Sequence, residues 1–151
     1  MESIYPDTSF LFSLHVLQKH TPEAVGYFQR LERPLFVSPL AKYELFAAIR
    51  QQVYRFKQDE KTGFPEHVAQ KGLALFQRHQ TRGLIRLLAF DFLDVIQVAE
   101  RLSATHVAKG GYSAGELLHV ATALYLGCSR FLSFDKKQRA LAEKEGLSTA
   151  F

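Results

Sequence analysis

Four carboxylates stand out for their surroundings. Asp7, Glu44, Glu116 and Asp135 each lie in an otherwise apolar stretch, and Asp7 and Asp135 sit where a short β-favouring run ends. An ionised carboxylate taken out of water without a partner is strongly disfavoured, so such groups pair with a cation, protonate, cap a helix or hold a metal ion. A few carboxylates, with neither a cysteine pair nor paired histidines, suit a hard divalent cation such as Mg²⁺, which also keeps water and takes phosphate oxygens. Four such acids together would repel one another, and without a cation at least one would have a raised pKa.

Each acid has a structural role open to it as well. Asp135-Lys136-Lys137-Gln138 has capping-box spacing, and so has Ser113 with Glu116. Asp7-Thr8-Ser9 fits an Asx-turn. Glu44 has no such excuse, being deep in a helical stretch with Leu40 and Ala48 four residues away on either side. No helical ion pair is available to it, so it is either exposed or faces a site. The hydroxyls of Thr8, Ser9 and Ser133 are placed to bond a carboxylate or a phosphate. His119, three residues beyond Glu116, reads as a packed, hydrogen-bonded core histidine rather than a ligand or base.

The elements that must position these groups alternate. Ile4 to Phe12 predicts a short buried strand running into a turn at Asp7-Thr8-Ser9, and Pro22 to Leu31 predicts a helix stopped before Pro34. Leu35-Phe36-Val37 is a second strand, and Ser38-Pro39 caps a long helix through Phe56 that carries Glu44. A helix from Pro65 to about Gln80, a third strand over Leu84 to Phe90 and a helix from Phe92 towards His106 follow. After a flexible joint at Gly110-Gly111, a helix runs from Ser113 to about Gly127. Phe131 to Phe134 is the fourth strand, and a last helix spans Lys136 to Glu145 before a short extended end. This order implies a parallel sheet covered by helices on both faces, with its ligand site beyond the carboxyl ends of the strands.

The 151 residues make one domain, 47% hydrophobic and 23% charged, rich enough in apolar material for a core. The net charge of +4 favours a polyanionic partner. A lone cysteine, Cys128, rules out an internal disulfide, fits a reducing cytoplasm and reads as a packed core thiol. The opening Met1 to Asp7 does not read as a signal peptide, and the apolar run Leu117 to Leu126 is too short to span a bilayer. Arg50, Arg55, Lys57 and Lys61 beyond Glu44, with Lys136, Lys137 and Arg139 beyond Asp135, could guide an RNA backbone, although an ordinary solvated face is slightly favoured because neither cluster is a dense charge run.

Asp7-Thr8-Ser9, a glutamate within the long helix, Glu116-Leu117-Leu118-His119-Val120-Ala121-Thr122-Ala123-Leu124, and Phe131-Leu132-Ser133-Phe134-Asp135 with Gln138, in this order, resemble the PIN-domain nucleases, and among them the VapC-type toxins of toxin–antitoxin pairs. The resemblance covers nearly the whole chain. It implies a PIN-like α/β/α sandwich with a central, mainly parallel sheet of four to five strands. It also implies that Asp7, Glu44, Glu116 and Asp135 bind Mg²⁺ or Mn²⁺ and that the protein is a cytoplasmic endoribonuclease hydrolysing RNA phosphodiesters. A small antitoxin and a homodimer are the implied partners, with the exposed part of Asp59 to Gln80 a candidate pairing or antitoxin surface. Two positions depart from the pattern: Glu116 stands where the family usually has Asp, and Ser113 where it commonly has Arg. They motivate the alternative of a non-catalytic RNA-binding or protein-interaction member. A haloacid-dehalogenase-type phosphatase would want an Asp two residues after Asp7, where Ser9 stands.

Overall fold

The computed structural model describes residues 3–151; Met1 and Glu2, the start of the segment read above for a leader, lie outside the described residues. Four short parallel strands alternate with seven helices among the described residues. The strands are β1 (Ile4–Pro6), β2 (Leu35–Val37), β3 (Ile85–Leu87) and β4 (Arg130–Leu132). The helices are α1 (Thr8–His15), α2 (Thr21–Gln29), α3 (Pro39–Gln58), α4 (Glu66–Thr81), α5 (Phe92–Gly110), α6 (Ala114–Tyr125) and α7 (Lys136–Lys144).

β1 pairs with β4, Tyr5 opposite Phe131, and β2 pairs with β3, Phe36 opposite Arg86. β1 and β2 lie side by side without a continuous ladder, so the expected central sheet is two parallel pairs in the spatial order β3-β2-β1-β4. Across the break a side-chain hydrogen bond between Tyr5 on β1 and Ser38, the residue after β2, joins the two halves. Ser148 in the terminal extended piece forms a further parallel bridge to Arg130.

Period-2 alternation along β1 and β4 divides the core between two faces. Ile4 and Leu132 join Phe10, Leu14, Leu45, Ile49 and Phe76 under α1 to α4. Tyr5 and Phe131 point the other way, into Val95, Leu102, Leu117, Val120 and Leu141 from α5, α6 and α7. The result is a three-layer α/β/α sandwich. On α3 the buried set Ala41, Leu45 and Ile49 recurs every four residues, which holds one face of that helix against the sheet. Cys128 is buried as expected, and burial pushes its thiol up to about 11, leaving it inert.

Three sequence expectations need correction. The turn at Asp7-Thr8-Ser9 is the first turn of a helix: Asp7 caps α1, and packing against α2 and α3 overrides the β-favouring composition of Thr8–His15. The third strand is only Ile85–Leu87. Gly110-Gly111 is not a joint, since α5 runs through Gly110 and stops at Gly111, whose φ of 65° is the left-handed cap that glycine takes without strain.

A hydrogen-bonded pair of histidines, His15 buried and His79 half-buried, joins α1 to α4. His15 Nδ1–H donates to Leu11 O at 2.7 Å, leaving Nε2 to accept from His79 Nδ1–H at 3.0 Å. Burial holds His15 near a pKa of about 4, below its ordinary 6.5, with the Leu11 carbonyl opposing and His79 adding to the shift. The unfolded chain therefore binds the proton more readily, and stability contributed by neutral His15 is lost as pH falls from about 6.5 towards about 4. Urea unfolding at pH 4.5 is expected to show roughly 2 to 3 kcal/mol less stability from this group than at pH 7.5. His15→Gln should remove that part of the slope; an unchanged slope would locate acid sensitivity elsewhere.

Candidate active site

Two of the four acids, Asp7 and Asp135, sit where the parallel strands β1 and β4 end. Asp7 directly follows β1, its N–H donates to Leu132 O at 2.9 Å, and it is fully buried. Its Oδ1 accepts from Ser9 Oγ–H at 2.7 Å and Phe10 N–H at 2.9 Å, and its Oδ2 accepts from Ser133 Oγ–H at 2.5 Å. All three are neutral donors. Burial raises the pKa of Asp7, against the lowering effects of Ser133, Phe10, Ser9 and the His119 charge. One acid with a raised pKa was expected, but desolvation is the leading cause rather than repulsion by other acids.

The same serines lock Asp135 to Asp7. Ser133 Oγ accepts from Asp135 N–H at 2.9 Å, and Ser9 Oγ accepts from Phe134 N–H at 3.0 Å. Asp135 then caps α7, its Oδ1 accepting from the N–H groups of Lys137 at 2.8 Å and Gln138 at 3.1 Å. The capping role read from Asp135 to Gln138 is therefore real, and it leaves Oδ2 without a protein donor among the described residues.

Glu44 faces this site from α3. Its Oε2 accepts from Thr8 Oγ1–H at 2.9 Å and from His119 Nε2–H at 2.7 Å. His119 is buried at 3% exposure, with Nδ1 3.0 Å from the Tyr5 hydroxyl, which is itself 3.0 Å from Ser38 Oγ. A continuous chain of hydrogen bonds thus runs Ser38–Tyr5–His119–Glu44 and crosses the gap between β1 and β2. Burial pushes Glu44 up, but the bond and charge of His119, helped by Thr8, outweigh it and hold the carboxyl below its ordinary value. Burial also raises the Tyr5 pKa, keeping the phenol protonated.

Glu116 stands apart. Its Oε2 accepts from Ser113 N–H at 2.8 Å while its own N–H donates to Ser113 Oγ at 3.2 Å, a complete capping box for α6. Among the described residues no hydrogen bond joins it to the other acids; it lies one helical turn before His119 on a shared face. Asp7 and Asp135 are thus linked through Ser9 and Ser133, while Glu44 bonds Thr8, the residue after Asp7, and Glu116 bonds neither group among the described residues.

Among the described residues no group of three or more His, Cys, Asp or Glu side chains is gathered closely enough to hold a metal ion. The donor chemistry nonetheless fits a hard cation that keeps most of its water. Glu44 Oε1, Glu116 Oε1 and Asp135 Oδ2 carry no protein donor among the described residues, and Asp7 is a buried carboxylate whose three hydrogen-bond donors are all neutral. Three of the four acids also sit at helix N-termini, where the macrodipole favours negative charge.

The core reading of His119 holds for its burial but missed its bond to Glu44. The one clue was its spacing from Glu116. Tyr5 and Ser38 gave no signal, because a strand tyrosine and an N-cap serine each have a sufficient structural reason to exist.

Comparison with known proteins agrees with this architecture. Among curated protein sequences nothing matches significantly. Among solved structures the chain is similar to Mycobacterium tuberculosis VapC20, described as a sarcin-ricin loop cleaving toxin, with TM-score 0.67 and 17% identity over 91% of this chain and 94% of that one. It is also similar to VapBC2 from Rickettsia felis, solved bound to a promoter DNA fragment, with TM-score 0.65 and 14% identity over 97% and 96% of the two chains. FitAcB from Neisseria gonorrhoeae matches with TM-score 0.62 and 14% identity over 98% and 96%. At these identities the likeness establishes the fold. The sequence model of the PIN domain matches residues 4–144, nearly the whole chain, and this protein belongs to the PIN domain family.

Proposed function

We propose that this protein is a divalent-metal-dependent endoribonuclease acting as a VapC-type toxin. The observation that carries the reading is the interlocked Asp7–Ser133–Asp135 unit at the carboxyl ends of β1 and β4, with Glu44 held beside it by Thr8 and His119. Asp7 and Asp135 would be the principal ligands of Mg²⁺ or Mn²⁺, Glu44 a ligand directly or through water, and Glu116 a ligand or the group orienting the attacking water. Such an ion supplies stabilisation of charge on the phosphoryl oxygens and a water of lowered pKa.

The chain's own residues do the positioning. Ser9, Ser133 and the Phe10 N–H fix the plane of the Asp7 carboxylate, and the first turn of α7 fixes Asp135. His119, backed by Tyr5, keeps Glu44 ionised and aimed. The toxins and toxin–antitoxin complexes that share this fold support a small cognate antitoxin as partner, and a homodimer belongs to the same reading.

RNA cleavage by the purified protein with Mg²⁺ or Mn²⁺, abolished by chelator, tests the proposal; RNA binding with no cleavage under any metal would favour the non-catalytic alternative. Glu116→Gln separates the two roles open to that residue. Glutamine preserves the capping box, so stability should change by no more than about 0.5 kcal/mol, while loss of the charge should lower cleavage at least about 10-fold. Unchanged cleavage would reduce Glu116 to a helix cap.

A further inference from the structure

The side of α3 next to Glu44 carries a feature the catalytic reading does not use. Tyr43 is 72% exposed and Tyr54 is 58% exposed, although large aromatic side chains normally seek burial. With Ala47, Arg50 and Lys57 they follow one another at intervals of three and four residues, which places them in a single stripe along the helix. Two adjoining cavities of about 390 and 290 Å³ flank this stripe and share Arg50. The first opens between α3 and Leu87, where β3 ends, at the same strand-end edge as the acids.

The charge of the stripe is one-sided. Lys42, Arg50 and Lys57 line the two cavities against a single acid, Glu66, and none of the three cations is in an ion pair among the described residues. Lys42 and Arg50 lie over the Phe46 ring at 5.4 and 5.6 Å, which holds their charged ends along the groove. A second copy of this chain would bring like charges together here, whereas a polyanion is complementary. Exposed aromatic rings spaced along a cationic groove are what a single strand needs, with bases stacking on the rings and phosphates meeting the cations. A duplex keeps its bases stacked internally and gains nothing from the rings.

We infer that the α3 groove is a binding track for single-stranded RNA, with Tyr43 and Tyr54 as base-stacking platforms and Lys42, Arg50 and Lys57 as phosphate contacts, leading the strand to Glu44. This rests on the nuclease reading for its substrate, but its test does not depend on cleavage. A fluorescein-labelled single-stranded RNA of mixed sequence, titrated in chelator and followed by fluorescence anisotropy, reads binding alone. Tyr43→Ala and Tyr54→Ala should each weaken binding at least about 5-fold. Tyr54→Phe should bind as the parent does, and Arg50→Ala should lower the salt slope of log K by about one. The same sequence as a duplex should bind more weakly and be indifferent to the tyrosine changes.

Equal binding of single strand and duplex with no effect of either tyrosine would overturn the proposal, even if the parent cleaves RNA. A change in oligomeric state on sedimentation in the tyrosine variants, with RNA binding intact, would also overturn it and make the stripe a protein interface. Loss of binding in both alanine variants supports it even if no metal restores cleavage.

Discussion

Asp7→Asn is expected to lower metal-dependent RNA cleavage by at least about 10²-fold while leaving the protein as stable as the parent, or more so, in chelator at neutral pH. The two effects have one cause. The Asp7 carboxyl is fully buried and desolvation raises its pKa, so the folded chain holds the proton more tightly than the unfolded chain does. A folded-state pKa above the unfolded one gives stability that is present at low pH and lost as pH rises through the folded value. Asparagine has the same shape and never ionises, so it escapes that loss. It still accepts through Oδ1 from Ser9 and Phe10, and Ser133 needs only to turn its hydroxyl. Mg²⁺ or Mn²⁺ should raise the melting temperature of the parent by mass action and leave Asp7→Asn unmoved. A variant that melts much lower in chelator would mean that Asp7 is chiefly a structural cap, and one that still cleaves would remove it from the site.

Phe131→Ala is expected to cost about 3–5 kcal/mol and to lower the melting temperature by roughly 10 °C. Phe131 is fully buried at the centre of β4 and lies against the Tyr5 ring, centroids 5.7 Å apart and planes within 11°. Truncation opens a void between the sheet and the α5–α7 layer, and domain stability as a whole is only about 5–15 kcal/mol. Tyr5 also loses the surface that fixes its hydroxyl between Ser38 and His119, so residual cleavage should fall further than the folded fraction alone explains. Phe131→Leu, nearer in volume, should cost less than about 1.5 kcal/mol. A Phe131→Ala penalty under about 1 kcal/mol, read by urea unfolding, would mean that this layer carries little of the fold.

Most elements were legible because punctuation and periodicity agree. Ser38-Pro39 starts α3, the Ser113–Glu116 capping box starts α6 and Asp135 starts α7, each where a side-chain oxygen and the helix N-terminus need one another. α1 was hidden because Thr8, Phe10 and Phe12 favour strands and follow directly on β1, whereas the Asp7 cap and contacts with α2 and α3 make the segment helical. The break between β1 and β2 was hidden too, since sequence alternation says which face a residue takes but not whether neighbouring strands complete a ladder.

The site divides along the same line. Residue type exposed the four acids and the three hydroxyls, because isolated carboxylates in apolar runs demand an explanation. What they bond to was out of reach: His119 meets Glu44 across 75 positions of sequence, and Ser133 meets Asp7 across 126. Glu44, with no local partner at either i,i+4 position, was the clearest signal that something distant would supply one.

The most direct measurement is an anomalous-difference map from a crystal of the protein soaked in Mn²⁺. A peak in contact with carboxylate oxygens of both Asp7 and Asp135, with Glu44 reaching it directly or through water, is the expected result. Occupied Mn²⁺ sites elsewhere on the molecule, with no peak beside Asp7, would contradict a metal-dependent site at the ends of β1 and β4.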